Sequence, residues 1–172
     1  MKLTQPKWPQ HLPTEGVLGF ATLGPVGLRM PAPGTWGSAA GVVFFVVCCY
    51  PMGFVEILIA SALLGYFAVG ICGEAEIRMG RKDPGEVILD EVVAMPLCFL
   101  GWQMIGPTTF LGFLALLAAG FGIFRFFDIK KPGIINTLQE LPGGWGIVAD
   151  DTAAALATCA TLHLGHALWR LV

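Results

Sequence analysis

Two adjacent aspartates, Asp150-Asp151, stand between a glycine turn, Gly143-Gly144-Trp145-Gly146, and a largely apolar run that continues to the C-terminus. Ionised side chains are costly inside an apolar helix and persist there when a partner or a reaction needs them. Whatever this chain folds into must bring something to that pair. Asp90-Glu91, and Arg125 with Asp128, pose the same demand earlier in the chain.

The surroundings of these acids decide the class. Hydrophobic residues make up 55% of the 172 and charged residues only 13%, with a mean hydropathy of +0.72. Such a chain reads as an integral membrane protein, and its length suits one domain, residues 1–172, with an irregular lead-in over 1–15. The net charge of -2, without a basic run, points away from nucleic acid as a partner. Cys48, Cys49, Cys72, Cys98 and Cys159 all lie in apolar stretches without C-x-x-C spacing, and read as small core residues. Gly19, Gly24, Pro25 and Gly27 interrupt residues 16–30, so no cleaved signal peptide is expected there and a short interfacial helix fits better.

Spans are predicted over residues 36–50, 54–73, 85–104, 107–127 and 148–170, with a kink at Pro96, a turn at Gly106-Pro107 and polar loops over 74–90 and 133–146. The expected fold is all-α, a polytopic membrane bundle of about five transmembrane or partly inserted helices behind the short interfacial one. The first span is shorter than the ~20 residues that a straight crossing needs. In the last, Ala149, Ala153, Ala157 and Thr161 form a small-residue stripe that another helix can approach closely.

Five spans in this order place the N-terminal region and both polar loops on one face. Of the ten Lys and Arg residues only Arg170 falls on the other, which assigns the first face to the cytoplasm. Asp90, Glu91, Asp128, Asp150 and Asp151 then come to one boundary at similar depth. Acids at helix N-termini also suit the macrodipole, but Asp128 ends its helix, where the dipole disfavours it.

Carboxylates without nearby His or Cys suit a hard divalent cation, Mg²⁺ before Zn²⁺, and Mg²⁺ held this way keeps places for water and a substrate phosphate. Arg125 and Asp128, three apart, share a helical face and can pair or divide labour between phosphate and metal. Lys130 and Lys131 either complement a helix C-terminus or meet an anion. Gly143 and Gly144 form either a plain turn or a phosphate cradle, and Thr35 and Ser38 either cap a helix or contact a ligand. A small cation transporter or channel subunit would use the same acids as an ion path. It calls for a polar track to the far face, where only Glu56, His163 and His166 are available.

Four ordered motifs, Pro33-Gly34-Thr35-Trp36-Gly37-Ser38, Asp90-Glu91-Val92-Val93-Ala94-Met95, Phe124-Arg125-Phe126-Phe127-Asp128-Ile129-Lys130-Lys131-Pro132 and Gly143-Gly144-Trp145-Gly146-Ile147-Val148-Ala149-Asp150-Asp151, resemble the bacterial phosphatidylglycerophosphatase A family. The resemblance implies a Mg²⁺-dependent, multi-pass inner-membrane enzyme that converts the phospholipid phosphatidylglycerophosphate to phosphatidylglycerol and phosphate on the cytoplasmic side. On that footing Asp90, Glu91, Asp128, Asp150 and Asp151 would hold the metal and position or activate water, or one would form an aspartyl phosphate. Arg125 and Lys131 would bind the phosphate, with Thr35, Ser38, Gly143 and Gly144 beside them. The chain departs from the family pattern at Ile134, where the family carries the second proline of K-P-x-P-I, and at Ala153-Ala154-Ala155, where it carries A-G after the aspartate pair. The resemblance leaves the oligomeric state unassigned.

Overall fold

The computed structural model describes residues 3–106 and 109–171, so Lys2 and Pro107 lie outside the described residues. Within these the chain is helical, with no strand. A 3-10 turn at Trp8–His11 leads into α1 (Thr14–Ala21) and α2 (Pro25–Arg29), which divide the single interfacial helix expected over 16–30. Next come α3 (Pro33–Phe44), a wider turn of helix over Phe45–Cys49, and α4 (Phe54–Met79). After these stand α5 (Leu89–Cys98), α6 (Trp102–Ile105), α7 (Phe110–Lys130), α8 (Ile134–Leu138) and α9 (Gly144–Trp169).

The helix ends follow from local chemistry. At the start of α4 the Gly53 N–H donates to Glu56 Oε2 at 2.6 Å. The helix does not stop at residue 73 as predicted, because Glu74 and Arg78, one turn apart, pair at 2.8 Å and carry it to Gly80. There a φ of +64° supplies the left-handed stop. The predicted span over 85–104 is corrected more severely. Its helix, α5, has only 10 residues, about 15 Å of rise against the ~30 Å of a bilayer core. Pro96 and the left-handed Gly101, φ +72°, break the remainder into α6.

All ten residues of α5 are buried, packed against α3, α4, α7 and α9. Around it, α4 and α7 are the two described helices long and apolar enough to cross a membrane. Only 33% and 17% of their apolar windows are buried. The core helix of a water-soluble protein would be mostly covered, whereas these turn Leu58, Ile59 and Leu63, and Phe110 and Leu111, outward. Tyr50 stacks on Trp102 at 4.5 Å, with Phe113 edge-on to both, an aromatic group of the kind found at membrane boundaries. Ala154, Ala155 and Thr158, not the predicted stripe, form the fully buried face of α9; Ala149 and Ala153 instead flank an apolar cavity between α4 and α9.

Candidate functional site

Glycines let α3 lie directly on α5. Gly34, Gly37 and Gly41 fall on one helical face, and a Cβ at each would meet, in turn, the Glu91 carboxylate, the same carboxylate with Ile88, and Met95. The close approach seats Asp90 and Glu91 in the first turn of α5, where the helix dipole favours them. Gly37→Ala is therefore expected to cost about 1–3 kcal/mol of stability through overpacking and to push Glu91 out of place. Thermal unfolding and turnover should fall together, and an unchanged melting temperature would refute the packing.

At the end of α7, Arg125 Nη1 donates to Asp128 Oδ2 at 2.6 Å, Glu91 Oε1 at 3.0 Å and Ser38 Oγ at 3.3 Å. One guanidinium thus ties α3, α5 and α7 together. Lys131 then takes a left-handed φ of +42°, which ends the helix and directs Nζ to Asp150 Oδ2 at 2.5 Å and Gln139 Oε1 at 3.1 Å. Partial burial works to lower the Lys131 ammonium pKa, but the hydrogen bond and charge of Asp150 outweigh it and hold the group above the usual lysine range.

Asp150 and Asp151 lie nearly two turns inside α9, which starts at Gly144 and not at residue 148. The dipole therefore does not account for them. Both are 4% exposed, and the Asp151 N–H donates to Asp150 Oδ1 at 3.0 Å.

A single cavity of about 620 Å³ receives all five predicted acids, Arg125 and Lys131. Asp83 and Glu86, to which the sequence reading gives no role in the site, also line it. The Arg81 guanidinium, 3.0 Å from Glu86, holds that carboxyl below its usual range. The sequence offers Asp83-Pro84 as a helix start; in the structure Asp83 takes φ +46° and α5 begins only at Leu89, which leaves Asp83 and Glu86 on the loop beside the cavity.

Two predicted groups of ligand contacts fare differently. Ser38 is fully buried, donates to Gly34 O at 2.9 Å and accepts from Arg125, so it supports the arginine. Thr35 is exposed and does not line the cavity. Gly143 and Gly144 are also absent from its walls; Gly143 borders a separate cavity beside Lys82 and Gln139, and the Gly144 amide is already taken. The Gly144 N–H donates to Gln5 Oε1 at 3.0 Å, and a Cβ on Gly144 would run into Val69 O of α4. This turn serves helix packing.

Among the described residues, Asp90 Oδ1, Glu91 Oε2 and Asp151 Oδ2 are buried without a hydrogen-bond partner. Burying an unpartnered carboxylate oxygen is expensive, and a hard cation is the partner that this all-oxygen set fits. Among the same residues no three acidic, His or Cys side chains already meet around one point as metal ligands do.

Fold and site together define an apolar, all-helical protein whose acid-lined cavity carries two cations suited to an anionic group. The family model for phosphatidylglycerophosphatase A matches residues 19–166, and the chain belongs to that family. It is 37% identical over 136 residues to phosphatidylglycerophosphatase A of Haemophilus influenzae, covering 76% of each chain. With the Escherichia coli protein of the same name it shares 28% identity over 148 residues, 81% of this chain and 78% of that one. No solved structure matches the chain.

Proposed function

We propose that the protein hydrolyses the phosphomonoester of phosphatidylglycerophosphate, releasing phosphatidylglycerol and inorganic phosphate. Family membership sets the reaction, and the convergence of acids from α5, α7 and α9 with Arg125 and Lys131 on one cavity is the observation that carries it. Both cations sit at the C-terminal end of α7, opposite the acids of α9, where a dianionic phosphoryl group can exchange places with their carboxylate partners. A carboxylate takes a proton from the attacking water, the new P–O bond forms, the bond to the glycerol oxygen breaks, and that oxygen leaves as an alcohol after protonation. An aspartate acting as nucleophile gives the same balance over two steps.

Asp90, Glu91 and Asp151, with their unpartnered oxygens, and Asp128 and Asp150 beside them, would hold Mg²⁺. When bound, the ion neutralises charge on the phosphoryl oxygens. The Lys and Arg asymmetry favours a multi-pass protein of the bacterial inner membrane with the cavity on the cytoplasmic side. An ion path has less support, since the acids gather at one cavity and α4 and α7 turn apolar surfaces outward.

Phosphate release by purified protein in vesicles containing phosphatidylglycerophosphate tests this reading, with phosphatidic acid as the comparison substrate. Release in Mg²⁺ is expected, with loss in EDTA and recovery on adding Mg²⁺ back. Full turnover in EDTA would remove the metal, and no turnover in either would remove the function.

A further inference from the structure

The N-terminal segment lies outside residues 19–166 that the family model matches, yet it is bound to the two longest helices at several points. Gln5 Nε2 donates to Val69 O of α4 at 3.0 Å, while its Oε1 accepts the Gly144 N–H of α9 at 3.0 Å. Helix α9 has no side-chain cap of its own, since its N-cap residue is Gly143 at φ +56°. The amide of Gln5 therefore supplies from 139 residues away what a Ser or Asp would supply locally. Trp145 Nε1 donates to Thr4 O at 3.1 Å, and Trp8 packs where Gly70 leaves room and stacks on Phe67 at 5.6 Å. Farther along, Arg78 donates to Pro9 O and to Thr14 Oγ1, each at 3.2 Å.

We propose that residues 3–11 form a strap that fixes the start of α9 against α4, with Gln5 as the positioning residue for Asp150 and Asp151. The amide bridges two backbones, so a shift of α9 along α4 breaks one of its two bonds. Because a helix is stiff over two turns, a displacement at Gly144 is transmitted to the aspartates. The inference rests on the hydrolytic reading of the cavity for its effect on rate, but not for its effect on α9.

The test uses the full chain in vesicles with Gln5→Met, which keeps side-chain length and volume but makes neither bond. Hydrogen exchange over residues 143–151 is expected to speed up about tenfold, while α7 is unchanged. For phosphatidylglycerophosphate, kcat should fall about tenfold with KM within about twofold, as misplacement of reacting groups requires. If Gln5→Met does not fold, Trp145→Phe, which deletes only the bond to Thr4 O, is expected to show smaller changes in the same directions. Unchanged exchange in the folded variant overturns the strap. Faster exchange with an unaltered kcat overturns the positioning role. Should the wild-type protein release no phosphate, the proposed reaction fails, and exchange alone decides whether the strap exists.

Discussion

Asp151→Asn is expected to lower kcat for phosphatidylglycerophosphate about a thousandfold, in the range for loss of an acid–base group, without lowering the melting temperature. The two effects have one cause. Asp151 is 4% exposed and its Oδ2 has no hydrogen-bond partner, so its ionised form is a burden on the folded state. Asparagine has nearly the same shape, leaves no cavity and removes the charge. Loss of turnover with stability held or raised marks a group retained for reaction at a cost in stability. Phosphate release and thermal unfolding by circular dichroism, followed on the same preparation, measure both. Near-normal turnover, or collapse of the fold, would count against the role given to this residue.

Arg125→Met should lose stability as well as turnover. The guanidinium is 19% exposed and stands within 3.0 Å of Glu91 and 2.6 Å of Asp128, both of which are more deeply buried. Removing it strands two carboxylates, at a cost of about 2–5 kcal/mol, and turnover should fall at least about a hundredfold with the phosphate contact gone. Adding Glu91→Gln to Arg125→Met removes one stranded charge. The double variant should therefore regain part of the stability and none of the activity. If stability is as low in the double variant as in the single one, Arg125 is not there to balance Glu91.

The convergence of acids could be read from the sequence because it depends on the order of apolar segments and on where charges interrupt them. Those are properties that hydropathy and the Lys and Arg count report. Asp90, Glu91, Asp128, Asp150 and Asp151 do share one cavity. Helix limits were harder to read. Residues 74–79 look like loop by charge, yet the Glu74–Arg78 pair makes them helix. Residues 85–88 look like helix by composition, but the Ile88 N–H is taken by Ala21 O at 2.9 Å, a partner that no local pattern reveals. The later start of α5 puts Asp90 and Glu91 at a helix tip, while the earlier start of α9 takes Asp150 and Asp151 away from one. The glycines at 143 and 144 allow two readings in the sequence, since a bare backbone amide suits a phosphate and a carboxamide oxygen alike, and in the structure Gln5 takes the Gly144 amide.

Helix α5 carries two of the five acids and is wrapped by α3, α4, α7 and α9 along its whole length. In a bilayer, changes in thickness would act first on helices with exposed apolar flanks, here α4 and α7, which could answer by tilting. The short inner rod meets that disturbance only second-hand, through its neighbours. Turnover should in this way be cushioned against changes in the acyl-chain length of the surrounding lipid.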